Sequence, residues 1–206
     1  MRAARFRGNG RIELVEVDVP EPGPGEVLLR VHSCALCGSD RDGYLNGSAV
    51  TPGHEVSGVI DAAGDQVTLR PGTPGVVYLV GYCGRCYCCR ANLTNMCLAK
   101  QQMYGFSDEG GFSDRIVVRA DCFLEVAETI ALDHATALLD LYGTTNHAFR
   151  RAGGVSSKSV VCWWWVAGPS ASAPSRRPAP AAPGEWSRWT WPRTACVSRR
   201  AWGLWR

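Results

Sequence analysis

The first 160 or so residues predict a mainly β domain with a few helices, closed in a barrel-like manner, on three observations. Apolar residues fall in short alternating or continuous runs of four to six positions. Proline and glycine cluster between those runs at turn positions. Apolar residues at helical spacing arrive late in the domain, after residue 130.

The strand candidates follow in order. Residues 12–17 and 26–31 are two apolar-rich runs, separated by the turn formers Pro20, Pro22, Gly23, Pro24 and Gly25. Residues 56–61 form the third run, and the segment Pro71-Gly72-Thr73-Pro74-Gly75 punctuates the approach to the fourth, 76–80. Residues 115–118 complete the set. A helix is expected over 131–139, where Leu132, Ala135, Leu138 and Leu139 share one face, and a second over 144–151, stopped by Gly153-Gly154. Residues 159–161 open another buried strand. The chain contains no internal repeat.

Composition changes abruptly after that strand begins. All eight tryptophans lie between Trp163 and Trp205, together with six of the twelve prolines. Seven basic residues against the single acid Glu185 give the tail a charge of +6, leaving −3 for residues 1–162. The whole chain, 206 residues at +3, is too nearly neutral to argue for nucleic acid. The basic tail taken alone has the composition of a nucleic-acid or membrane arm. No apolar run approaches a membrane span, and Arg2, Arg5 and Arg7 are followed by no hydrophobic stretch or cleavage site. A soluble, cytoplasmic chain is therefore expected.

Ten cysteines demand either disulfides or metal. Cys83, Cys86, Cys89 and Cys97 are spaced C-x2-C-x2-C-x7-C. Such short loops let four sulfurs converge about 2.3 Å from one point, the tetrahedral thiolate cage that Zn²⁺ prefers. With sulfur at all four positions no water binds, so the zinc is structural. Disulfides and an iron–sulfur cluster are the competing readings. Closely spaced thiols in a chain without a secretory signal suit a reducing compartment. A bacterial ferredoxin spacing would want three residues and a following proline at the last cysteine, whereas Leu98 follows Cys97. Cys88 leaves a register ambiguity with Cys89.

A second set joins Cys37-Gly38-Ser39-Asp40 to Gly53-His54-Glu55. A histidine beside a glutamate is by itself an ordinary structural pair. A thiol and an imidazole upstream of a four-cysteine lobe are more pointed, because two such donors and a third leave zinc one open position.

On these motifs the chain resembles the zinc-dependent medium-chain alcohol dehydrogenases, particularly the branch of threonine and sorbitol dehydrogenases. Gly53-His54-Glu55-x2-Gly58-x5-Gly64-x2-Val67 matches that family's zinc signature without a gap, the four-cysteine lobe has the family's position and spacing, and Gly110-Gly111-Phe112 precedes a strand as it should. The resemblance covers residues 1–161 and implies the family's GroES-like catalytic domain, a partly open β-barrel. It implies a catalytic zinc held by Cys37 and His54, with Asp140 of Leu138-Leu139-Asp140-Leu141-Tyr142-Gly143-Thr144 in the place of the third ligand. An ordinary helix-end acid is the other reading of Asp140. Glu55 is placed to approach the metal during ligand exchange, and Asp40 to hydrogen-bond the second nitrogen of His54. Ser39 becomes the hydroxyl that relays the substrate proton, while Asp42 stands where many relatives carry a relay histidine. Tyr44 and Phe106 are candidate pocket walls. The implied reaction is hydride transfer from a primary or secondary alcohol or polyol to NAD(P), with two zinc ions per chain and a homo-oligomeric intact enzyme.

That reaction needs a dinucleotide domain, and residues 162–206 carry none of its fingerprint. Instead Cys162 is followed by Trp163-Trp164-Trp165, which fixes the DNA as TGG repeats. Read one nucleotide earlier, these codons give Val-Val and then a forced glycine at Trp165/Val166. The codons bridging Ala167/Gly168 and Ser170/Ala171 permit two more glycines. Trp189/Thr190 forces an aspartate 19 codons after the last of them, close to the roughly 20 expected for a ribose-binding acid. The tail thus reads as a nucleotide-binding domain out of frame, and the chain as a catalytic domain without its cofactor half, poorly stable and inactive alone. The alternatives are a genuine Trp/Arg/Pro-rich extension and a non-catalytic zinc-binding GroES-like module.

Overall fold

The computed structural model describes residues 1–151. The strand expected at 159–161, the helix stop at Gly153-Gly154 and the tail 162–206 lie outside the described residues. Among the described residues no helix is long and apolar enough to cross a membrane.

Two strands pair first, β1 (Arg2–Gly8) and β2 (Arg11–Glu16), in an antiparallel hairpin that sets Phe6 against Ile12. Asn9 and Gly10 both have positive φ, the backbone that a tight hairpin turn requires. The main sheet follows: β3 (Glu26–Ala35), β4 (Glu55–Ala63), β5 (Pro74–Val77), β8 (Arg115–Arg119) and β9 (Phe123–Glu125), all antiparallel in the order β8-β3-β4-β5-β9. A smaller pair, β6 (Val80–Gly81) with β7 (Gln102–Met103), stands at the base of the four-cysteine lobe. The expected mainly β, barrel-like domain is what forms.

Alternation fixes which face turns inward. Val27 and Leu29 of β3, Val56 and Ile60 of β4, Val77 of β5, and Ile116 and Val118 of β8 close on Tyr104, Cys122 and Phe123 in one core. The β3–β4 register slips between Leu28 and Leu29 and between Val31 and Ser33. Such bulges bend a strand pair and curl the sheet into a half-barrel. Buried Tyr104 ties the core to its rim, its hydroxyl oxygen accepting the Arg119 amide at 2.9 Å.

Two local expectations are corrected. The run 76–80 is not one strand, because Val77 ends β5 in the large sheet and Val80 begins β6 in another. The single helix expected at 131–139 divides into α3 (Leu132–Ala135), a 3-10 turn (Thr136–Leu138) and a π-helical turn (Leu139–Thr144), before α4 (Thr145–Arg151). Single π turns inside helices occur frequently at functional sites, and this one carries Asp140. Two short helices lacked a periodic signal altogether: α1 (Asp40–Asn46) and α2 (Tyr87–Arg90).

The core positions the site through the ends of its two central strands. Ala35, the last residue of β3, pairs with Glu55, the first of β4. Cys37 lies two residues beyond one strand end and His54 one residue before the other. Strand pairing therefore brings together two short motifs that the sequence keeps apart.

Candidate metal centres

The four-cysteine lobe folds on itself as its spacing predicts. Sulfur atoms of Cys83, Cys86, Cys89 and Cys97 all lie within 4.8 Å of one another. Individual Sγ–Sγ separations are 3.5 Å for Cys86–Cys89 and 4.0 Å for both Cys83–Cys89 and Cys86–Cys97. A zinc tetrahedron with 2.3 Å bonds has an edge of about 3.8 Å, so these sulfurs fit it. A disulfide needs about 2.05 Å, and these cysteines are free. The helix α2 settles the register: Cys89 points into the cluster, while Cys88 is buried outside it.

Backbone amides prepare the lobe for an ion. Those of Leu98 and Cys89 hold the Cys86 thiol down at about 6, and those of Arg85 and Cys86 lower Cys83. Burial and the neighbouring sulfurs push Cys89 up to about 12. Four converging sulfurs are a donor set that suits zinc.

The second centre is assembled from three elements. Cys37 comes from the loop after β3, His54 and Glu55 from the entry to β4, and Asp140 from the π turn. One donor atom from each lies within 4.8 Å of all the others. His54 is 1% exposed, with Nε2 3.3 Å from Asp140 Oδ2 and 3.5 Å from Ser39 Oγ. Its Nδ1 lies 3.5 Å from Asp40 Oδ1 and makes no hydrogen bond among the described residues. The other oxygen of Asp40 accepts the Cys37 amide at 2.9 Å. One buried carboxylate thus closes the Cys37 loop and faces the rear of the His54 ring.

The acids around His54 govern the electrostatics of this centre. Burial disfavours an imidazolium at His54, yet Asp140, Asp40 and Cys37 outweigh it and push the group up to about 10. Burial, followed by the nearby Asp140 charge, raises Glu55 above its usual range. Three carboxylates and a thiol crowd one imidazole. Mixed sulfur, nitrogen and oxygen donors of this kind suit zinc, with His54 Nε2 turned inward and Nδ1 toward Asp40.

The remaining predicted residues separate. Ser39 is exposed at the start of α1, beside the centre. Asp42 faces solvent and accepts a hydrogen bond from Asn46 Nδ2 at 2.7 Å. Phe106 lies over His54 with ring centroids 4.7 Å apart, whereas Tyr44 packs edge-on against Phe6 at 6.0 Å. Sequence reasoning missed Glu109, whose carboxylate accepts the Thr51 amide at 2.9 Å and pairs with Arg5 at 3.0 Å. It also missed Ser57, whose buried hydroxyl donates to the Leu132 carbonyl at 2.6 Å and ties the Asp140-bearing segment to β4. Neither residue type has a ligand spacing that would expose it.

Comparison with known proteins agrees with this geometry. Residues 23–128, just over half the chain, match the family described as the alcohol dehydrogenase GroES-like domain. The L-threonine 3-dehydrogenase of Pyrococcus horikoshii is 34% identical over 166 residues, covering 72% of this chain and 44% of that protein. Galactitol-1-phosphate dehydrogenase from Escherichia coli superimposes with a TM-score of 0.70 at 28% identity, over 75% of this chain and 46% of that one. A cobalt- and zinc-bound thermostable alcohol dehydrogenase from Pyrobaculum aerophilum gives 0.65 at 35% identity, over 73% and 48%. The chain spans about half the length of these relatives. Its barrel-like sheet, its paired motifs and these matches agree: the chain belongs to the zinc-type medium-chain alcohol dehydrogenases, on the threonine and sorbitol dehydrogenase-like branch.

Proposed function

We propose that residues 1–161 are the catalytic domain of a zinc-dependent dehydrogenase that oxidises a small alcohol or polyol with NAD(P) as hydride acceptor, in the cytoplasm. The observation that carries this reading is the convergence of Cys37, His54, Glu55 and Asp140 within 4.8 Å beside the exposed hydroxyl of Ser39. Cys37, His54 and Asp140 would hold the catalytic zinc, with Glu55 as an exchanging carboxylate. Cys83, Cys86, Cys89 and Cys97 would hold the structural one. Zinc in the first site supplies Lewis acidity that favours loss of a substrate hydroxyl proton near neutral pH.

The chain's own groups do the rest. Ser39 Oγ is placed to take the substrate proton and, being exposed, to hand it to solvent. Asp40 Oδ1 faces His54 Nδ1 at 3.5 Å, where a hydrogen bond would orient the ring and fix its tautomer. Phe106 supplies an apolar wall over the imidazole and shields that side of the centre from water. Hydride acceptance belongs to a cofactor domain, whose fingerprint the out-of-frame reading of residues 162–206 would begin.

Metal analysis tests the reading directly. The purified chain is expected to carry two zinc ions and, once stripped of metal, to bind cobalt at both centres, one of them with a mixed-donor spectrum. Zinc at the four cysteines alone would refute it. Re-reading the coding DNA across codons 155–210 tests the frame, and the restored protein is expected to oxidise alcohols with NAD⁺. If the present frame stands, a non-catalytic zinc-binding module becomes the better reading.

A further inference from the structure

His54 owes its position to a turn that no regular element holds. Residues 51–54 precede β4 and contain Pro52, which has no amide hydrogen, and Gly53, whose φ is +98°. The first three carbonyls of this turn are all taken by one neighbouring segment, residues 110–112. Gly110 N–H donates to Thr51 O at 2.7 Å, Phe112 N–H to Pro52 O at 3.0 Å, and Gly111 N–H to Gly53 O at 2.8 Å. The fit is close: a Cβ on Gly110 would lie 2.4 Å from Gly53 O, and one on Gly111 would lie 2.3 Å from Val56.

At the head of the turn stands the amide of Thr51, in a residue only 1% exposed. Glu109 Oε2 accepts it at 2.9 Å, and Glu109 Oε1 is held by Arg5 Nη1 of β1 at 3.0 Å. Thr51 is thereby bonded through both its backbone groups to consecutive residues, 109 and 110. A buried amide without an acceptor is strongly disfavoured, so this carboxylate sets where the turn can sit. The Glu109 side chain as a whole is 55% exposed, so its function is local rather than part of the core.

We infer that Glu109 is a positioning residue for the metal centre: by clamping Thr51 it fixes the turn that aims His54 at Cys37 and Asp140. The inference rests on the zinc reading of that centre. It assigns Glu109 the role of hydrogen-bond acceptor, so a neutral acceptor of the same length should serve nearly as well. Removing the acceptor lets the turn shift and loosens one donor of four, while the four-cysteine lobe, held by its own backbone, is unaffected.

Cobalt titration of the full chain tests this, because the two centres give distinct visible bands and the four-cysteine site is an internal control for folding. Groups that orient metal ligands typically change affinity 10–100-fold when removed. For a half-exposed group acting through the backbone, about tenfold is expected in Glu109→Leu. Glu109→Gln is expected to stay within about threefold of the parent chain, at the weak end of the same scale. The four-cysteine bands should titrate alike in all three. If Glu109→Leu leaves the mixed-donor affinity unchanged, if both sites weaken together, or if Glu109→Gln is as weak as Glu109→Leu, the assignment is overturned. If the parent chain itself shows only four-cysteine bands, the zinc reading has failed at the start and the role of Glu109 falls with it.

Discussion

Replacing Gly53 with alanine strikes the structure at the residue before His54, and its cost can be built from two separate parts. The backbone there has φ +98°, outside the range an alanine adopts readily. Holding an ordinary residue in such a conformation costs about 1–3 kcal/mol. The new methyl would also sit 2.8 Å from Cys34 Sγ and 2.9 Å from the Phe112 ring. Overpacking of this kind adds about 1–3 kcal/mol. The sum, about 2–6 kcal/mol, corresponds to a fall in melting temperature of about 5–20 °C for a domain of this size. Two controls divide the parts. Gly25→Ala has positive φ, +78°, with no atom within 4 Å of the added carbon, and isolates the backbone cost. Gly58→Ala puts its carbon 2.3 Å from Arg30 O without positive φ, and isolates the clash. Urea denaturation of the three variants should find Gly53→Ala costlier than Gly25→Ala by at least 1 kcal/mol, roughly the smaller overpacking value. Equal costs would refute the packing account of this turn.

Three further outcomes are expected. Cys97→Ser should lower the bound zinc by one ion per chain and open the lobe to proteolysis, with the mixed-donor centre retained; elemental analysis and limited digestion report both. Tyr104→Phe removes the acceptor of the Arg119 amide and should cost about 1 kcal/mol in urea denaturation. Burial opposes ionisation of Glu109, but its bonds from Thr51 and Arg5 prevail and hold the carboxyl below its ordinary value of 4.5. Its contribution is therefore complete above pH 4.5 and lost as pH falls through the lower folded value. The stability gap between the parent chain and Glu109→Gln should close over that acid range, and a gap independent of pH would contradict it.

Much of the fold was legible because β-strands write themselves as alternation. The runs at 26–31, 56–61 and 115–118 each sit inside a strand of the large sheet. Strand β1 escaped because arginines at positions 2, 5 and 7 break the alternation, each pairing outward with Asp114, Glu109 or Glu13. The Asn9-Gly10 pair was the available signal for that hairpin. The helical stretch near Asp140 carried a sound apolar face, but its division into three kinds of turn depends on docking against β3 and β4, which local propensity does not encode.

By itself the sequence determined the four-cysteine lobe, since loops of two and seven residues leave the sulfurs little choice but to converge. It also determined three strands of the large sheet, β3, β4 and β8, and the motif identities of Cys37 and His54. Only the tertiary structure decided that Asp140 reaches the same point, that Cys89 rather than Cys88 joins the lobe, that Phe106 rather than Tyr44 lies against His54, and that Glu109 holds the turn. The physical reason is range. Short-range closure is written in spacing, whereas a carboxylate delivered from residue 140 to residue 54 is placed by the packing of everything between them.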